Sequence, residues 1–158
     1  MENKKLLEEI RSYWNNRADG YSRVNQEELH SEQKEKWKEV LLEQLPKKEK
    51  DQVQILDIGT GPGFFAILLA EEGYQVTAVD YTEQMLQEAK SNAADLADQI
   101  SFKRMDAQNL EFPKETFDYI VTRNVTWNLE HPKRAYREWQ RVLKPGGKIL
   151  NFDANWYA

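Results

Sequence analysis

Asp57 opens the run Asp57-Ile58-Gly59-Thr60-Gly61-Pro62-Gly63, and a second acid, Asp80, closes the next apolar stretch. Glycine lacks a Cβ and takes positive φ, so such a run lets the backbone turn sharply and lie close to a ligand. The N–H groups that begin a following helix are unpaired and point at whatever sits there. An acid about 20 residues further on, at the end of a second strand, can accept hydrogen bonds from both hydroxyls of a ribose. The chemistry on offer is therefore the binding of a nucleoside-containing ligand. The plain alternative is a tight turn of any α/β domain, with Asp80 a solvated strand end or helix cap.

The elements that must position these residues are legible around them. Val53–Ile58 is a short β-branched apolar run, predicting a buried strand. Phe64–Ala70 predicts a helix stopped at Gly73, and Gln75–Val79 a second strand ending on Asp80. Strand, glycine turn, helix, strand and acid make half of a nucleotide-binding sheet. Thr82–Ala97 predicts the next helix, with Thr82 as N-cap and Met85, Leu86, Ala89, Ala93 and Leu96 inward. Ile100–Met105 alternates as a third strand before Asp106-Ala107, and Phe117–Val121 is a fourth. Pro132 suits the first turn of a helix that buries Ala135, Trp139, Val142 and Leu143. Leu143–Gly147 reads as helix stop and tight turn before a fifth strand, Lys148–Phe152. Ahead of the sheet, residues 2–17 place Leu6, Leu7, Ile10 and Trp14 on one helical face. A second helix, Gln26–Leu45, is stopped by Pro46 and carries Leu29, Trp37, Leu41 and Leu45 inward.

The glycine spacing separates nucleotide classes. A dinucleotide fingerprint, G-x-G-x-x-G, would need a glycine where Phe64 stands, which speaks against a nicotinamide-dependent oxidoreductase. The pattern acid-x-G-x-G-x-G from Asp57 to Gly63 instead resembles the first motif of class I S-adenosylmethionine-dependent methyltransferases. The Phe117-Asp118 strand start and Arg141-Val142-Leu143-Lys144-Pro145-Gly146-Gly147 are similar to other segments of that family. The resemblance implies S-adenosylmethionine as cofactor and S-adenosylhomocysteine as product. It puts Asp57 behind the loop near the methionine end, and the glycines with Thr60 against the adenosyl group. Asp80 would hold the ribose, with Tyr81 and Met85 beside it. Asp106 would accept from the adenine amine next to the small Ala107. Similar proteins fold an aromatic N-terminal stretch over the cofactor, so Trp14, Arg17 and Tyr21 are candidates there. Arg17 would pair with a carboxylate and Tyr21 would line the transfer pocket. Asn124, in the loop Thr122–Asn128, faces the cofactor and methyl acceptor in that reading; a loop Asn equally serves turn geometry. Asn124 and Tyr21 are the catalytic candidates, and Asp153 or His131 a general base if one is needed.

Composition narrows the partners. The chain has 158 residues, 40% of them hydrophobic, enough for one domain with a sizeable core. A net charge of −5 argues against a nucleic-acid binder. Amino-DNA methyltransferases of similar fold carry an Asn/Asp-Pro-Pro-aromatic motif where this chain reads Thr122-Arg123-Asn124-Val125-Thr126-Trp127-Asn128, so a small-molecule acceptor is expected. There is no cysteine, and His30 and His131 are the only histidines, too few for a histidine-rich metal site. No apolar run approaches the ~20 residues of a membrane span, and a cytoplasmic protein is expected.

The expected architecture is α/β, a Rossmann-like doubly wound, mostly parallel sheet of about five strands with helices on both faces. Two N-terminal helices are added, giving one domain over 1–158 with a cap at 1–46 and a core at 53–153. The family sheet normally continues past a fifth strand. An apolar Lys148–Phe152 would otherwise leave a bare edge, so a longer enzyme or a homodimer through that edge is expected. The expected activity is in-line methyl transfer to a small molecule. The alternative is a non-catalytic cofactor-binding module or fragment that partners another chain.

Overall fold

The computed structural model describes residues 33–123, 125 and 129–152. Five strands form one sheet: β1 (Ile55–Ile58), β2 (Val76–Asp80), β3 (Ile100–Arg104), β4 (Phe117–Arg123) and β5 (Leu143–Phe152). Their order is β3-β2-β1-β4-β5, and every pairing is parallel. From β1 the chain winds outward to β3, then returns to lay β4 against the other side of β1. The carboxyl ends of β1 and β4 thus diverge at a switch point, where open α/β sheets hold ligands.

Helices cover both faces. On one lie α1 (Gln33–Glu43), α2 (Phe64–Glu71) and α3 (Glu83–Ala93); on the other lies α4 (Pro132–Val142). Burial on both sides explains why β1 is buried throughout and why β2 and β4 read as nearly continuous apolar runs. Ile55, Val76, Ala78, Tyr119 and Val121 pack toward α1 and α2. Leu56, Ile58, Val79 and Ile120 pack toward Ala135, Trp139 and Val142 of α4. The alternation follows from the two-residue period of a strand. α2 is buried from Phe64 to Ala70, because sheet and α1 enclose it. α1 is fixed by Leu41, fully buried with its carbonyl accepting from Tyr119 Oη at 3.0 Å. Trp37 adds edge contacts to Phe152 at 5.2 Å and a tilted one to Phe65 at 5.3 Å.

Several boundaries differ from expectation for identifiable reasons. The helix expected over 82–97 ends at Ala93, where Ala94 takes φ +50° and the chain tightens into a 3-10 turn, Ala94–Gln99. Thr82 stands at the N-cap, but its side chain caps nothing. The expected turn at Leu143–Gly147 lies inside β5. Leu143 pairs with Phe117 and Lys148 with Tyr119, so the intervening residues bulge out of a strand that starts directly after α4. β5 is the outer strand of the described sheet. The helix expected over residues 2–17 with Trp14, then Arg17 and Tyr21, the expected start of the second helix over 26–32, Asn124, Trp127 and Asp153 lie outside the described residues.

At the amino end of the sheet, Asp118 is 6% exposed. It accepts from Lys48 Nζ at 2.6 Å, Lys144 Nζ at 3.3 Å and the Gln54 N–H at 2.8 Å. Burial works against its charge, but these three donors outweigh it and hold the carboxyl below the usual aspartate range. No helix among the described residues is long and apolar enough to cross a membrane.

Candidate functional site

The glycine loop leaves β1 at Gly59, whose φ of +68° suits glycine, and a Cβ there would lie 2.3 Å from Val125 Cγ2. The loop therefore passes directly beneath Val125, which follows β4. Gly63, with φ +95°, spends its missing Cβ on helix packing: a methyl there would sit 3.1 Å from Ala89 Cβ of α3. Open space faces Gly61.

The loop's donors are already occupied. The N–H groups of Gly59 and Thr60 both reach Val79 O, at 2.9 and 3.0 Å. Gly61 N–H donates to Asp80 Oδ2 at 2.9 Å, and Gly63 N–H to Thr60 O at 2.9 Å. At the start of α2, Ala66 N–H is satisfied by the carboxylate of Asp57. A phosphate cradle needs such groups free and pointing outward. This loop instead binds the protein's own carbonyls and carboxylates.

Acceptors, by contrast, gather at the carboxyl ends of three neighbouring strands. Asp57 is 2% exposed and accepts from Thr60 Oγ1 at 2.8 Å. Burial pushes its carboxyl up to about 7; the Thr60 and Ala66 donors pull it down, and the charge of Asp80 pushes it up. Asp80, half-buried at the end of β2, takes Thr82 N–H on Oδ1 at 2.9 Å besides Gly61 on Oδ2. Burial lifts it to about 6 against these backbone donors and that of Tyr81. Asp106, two residues past β3, takes Gln108 N–H at 2.9 Å and Gln108 Nε2 at 3.4 Å, both on Oδ1. Among the described residues Asp106 Oδ2 receives no hydrogen bond. Asp57 and Asp80, raised by burial and without a cationic partner among the described residues, mark this rim as a candidate functional cleft.

The sequence-predicted residues converge to different degrees. Asp57, Gly59, Thr60, Gly61, Asp80 and Asp106 lie on one rim of the sheet. Ala107 beside them is half-buried, and its carbonyl accepts from Trp139 Nε1 at 2.9 Å. Tyr81 stays on the rim, its carbonyl accepting from Arg104 Nε at 3.1 Å and its ring 5.7 Å from that guanidinium. Met85 is 3% exposed within the α3 packing. His131 stands at the N-cap of α4, 3.9 Å from Glu130. Tyr21, Arg17 and Asn124 lie outside the described residues.

Three residues of this region carry no readable signal in their neighbours. Gln108 is buried and ties the Asp106 loop to α4. Arg123 ends β4 with its guanidinium 5.0 Å from Trp37, 5.3 Å from Phe64 and 5.9 Å from Phe65. Thr122, fully buried beside it, has a hydroxyl with no hydrogen-bond partner among the described residues. A cation gathering three aromatic rings from two helices is a tertiary feature, and only the aromatic pair Phe64-Phe65 hints at it.

Known proteins share this fold. A family model described as a methyltransferase domain matches residues 56–151. The ubiquinone/menaquinone biosynthesis C-methyltransferase UbiE of Rickettsia bellii is 30% identical over 149 residues, covering 89% of this chain and 58% of that protein. A Methanococcus maripaludis protein proposed to be an S-adenosyl-L-methionine-dependent methyltransferase superposes with a TM-score of 0.77 at 27% identity. That match covers 87% of this chain and 62% of the other. Phosphoethanolamine N-methyltransferase 2 of Haemonchus contortus, solved with phosphomonomethylethanolamine and S-adenosylhomocysteine, gives a TM-score of 0.65 at 30% identity. It is matched over 73% of this chain and 27% of its own length. Against several curated relatives the chain spans from 21% to 58% of their length.

Proposed function

Because the chain belongs to the class I S-adenosylmethionine-dependent methyltransferases, we propose that it binds S-adenosylmethionine at the carboxyl rim of β1, β2 and β3 and transfers its methyl group to a small molecule. One observation carries this reading: the rim offers three carboxyls, while the N–H groups of Gly59, Thr60, Gly61 and Gly63 in the glycine loop are taken up by the protein's own carbonyls and carboxylates. Such a site suits a ligand that is cationic and rich in donors, and is unsuited to a pyrophosphate. S-adenosylmethionine, when bound, supplies a methyl group on a positively charged sulfur, a leaving group that needs no metal to activate it.

The chain's own residues then bind, orient and exclude water, an effect of proximity and alignment. Asp80 is the ribose acceptor: each oxygen already takes one backbone donor and retains capacity for another. Asp106 is the adenine-amine acceptor through Oδ2. Asp57 sets the charge behind the loop at the methionine end and fixes Thr60. Gly59 and Gly61 keep the loop low enough for close approach. Tyr21, Arg17 and Asn124 complete the transfer side, Arg17 against a carboxylate and Asn124 toward the acceptor.

A small acceptor is favoured by the net charge of −5 and by a post-β4 loop without the amino-DNA methyltransferase motif. The relatives' names point to a ring carbon in one case and an amine in another. Release of S-adenosylhomocysteine should therefore be followed over quinol, amine and thiol acceptors. Turnover on one small-molecule class is the expected result. Methyl label entering only nucleic acid or protein would contradict the acceptor, and none with any acceptor would leave a binding module.

A further inference from the structure

Gln108 is 2% exposed in a loop, an unusual burial for a side chain with four hydrogen-bonding positions. Its groups are divided between two parts of the fold. Its backbone N–H and its Nε2 both donate to Asp106 Oδ1, at 2.9 and 3.4 Å. Its Oε1 accepts from the N–H of His131, the N-cap residue of α4. The orientation of the amide follows from these partners, since the His131 N–H can only donate and the carboxylate can only accept. A second tie runs parallel, from Trp139 Nε1 on α4 to the carbonyl of Ala107 at 2.9 Å. The loop that carries Asp106 is thus clamped to the helix beneath the sheet, and one carboxylate oxygen is engaged while Oδ2 takes no hydrogen bond among the described residues.

We propose that Gln108 is the positioning residue for base recognition: by engaging Asp106 Oδ1 and anchoring to α4, it turns Oδ2 toward the exocyclic amine of the bound adenine. The inference rests on the reading of Asp106 as the adenine acceptor. A carboxylate free to rotate would spread its acceptors over several directions and discriminate poorly. A site that holds its acceptor rigidly rejects a ligand lacking the donor far more strongly than one that does not. Gln108 touches no ligand in this arrangement and acts through Asp106 alone.

The test compares S-adenosylhomocysteine with S-inosylhomocysteine, whose base carries a carbonyl in place of the amine. Each is titrated calorimetrically into the purified chain and into Asp106→Ala, Gln108→Leu and Gln108→Glu. The ratio of the two affinities reports acceptor alignment, which a purely structural role would not change. The wild type should favour the adenine ligand by about 30-fold, the size of one hydrogen bond to a charged acceptor, and Asp106→Ala should bring the ratio near unity. Gln108→Leu should cut it several-fold. Gln108→Glu keeps an acceptor for His131 but sets a carboxylate against Asp106, so it should cut the ratio at least as far while melting as a folded protein. A ratio retained in both Gln108 variants but lost in Asp106→Ala would overturn the positioning role and leave the adenine reading standing. A ratio unmoved by Asp106→Ala would overturn both.

Discussion

Asp118 and Asp57 are buried aspartates of adjacent strands, at opposite ends of one sheet, and their environments are opposed. At the amino end Asp118 meets two lysines and a backbone N–H, and its carboxyl is held below the usual range. At the carboxyl end Asp57 meets a hydroxyl, a backbone N–H and the charge of Asp80, and is pushed up to about 7. Burial raises both; the difference lies in the partners the fold supplies. A carboxylate neutralised within the chain closes that end of the sheet. Acids without cationic partners among the described residues leave the other end electrostatically open, and a cationic ligand can complete it. The two ends separate what stabilises this molecule from what the proposed site offers a ligand.

Removing either acid should expose that difference, and Asp118→Ala should have the larger effect. It removes the buried acceptor shared by the Gln54 N–H and two part-exposed lysines, so a loss of about 2 kcal/mol or more is expected in thermal or urea unfolding at pH 7. A depressed pKa contributes stability above the unfolded value, and that contribution fades as pH falls through the folded one. The deficit should accordingly shrink below pH ~4, while affinity for S-adenosylmethionine in the folded variant stays within about twofold of wild type.

Asp57→Asn should act in the opposite direction. A raised pKa means that its stability contribution is fully present below the unfolded value of 3.8 and is lost as pH rises toward about 7. Replacing the ionisable group should then change little near pH 4 and stabilise the cofactor-free protein by about 2 kcal/mol at pH 8. Cofactor affinity should fall in the same variant. Destabilisation at pH 8 would mean that the Thr60 and Ala66 hydrogen bonds outweigh the buried charge.

Asp80→Ala sharpens the contrast within the site. Loss of a two-hydroxyl acceptor should weaken S-adenosylmethionine binding about tenfold or more, read by calorimetry. The smallest effect is the pH profile of the wild type. With Asp57 near 7 and Asp80 near 6 in the free protein, affinity for the cationic cofactor should rise about fivefold from pH 6 to 8. In Asp57→Asn the rise should flatten.

The glycine run, both flanking acids, the five strands and most helix faces were readable because they depend on local pattern. Buried parallel strands are continuous apolar runs, and α4 repeats its buried residues at helical spacing. What escaped depends on contacts distant along the chain. Gln108 looks like an exposed loop residue until His131, 23 positions on, comes to lie against it. Asp118 is recognisable as a strand start, yet its lysines arrive from 70 residues before and 26 after. Arg123 reads as an ordinary charge after an apolar strand, and Trp37 reads as part of a helix face. Only the sheet brings them together. The β5 bulge was missed because Pro145-Gly146-Gly147 has the composition of a turn, and strand pairing on both sides of it is a tertiary outcome.

The central claim is that this rim receives a cationic, donor-rich nucleoside and not a pyrophosphate. Calorimetric titration of the purified chain with S-adenosylmethionine and, separately, with NAD tests it most directly. Saturable binding of the first, weakened in Asp80→Ala, with no heat from the second, is the predicted result. Saturable binding of NAD, or a folded chain that takes up no S-adenosylmethionine, would contradict it.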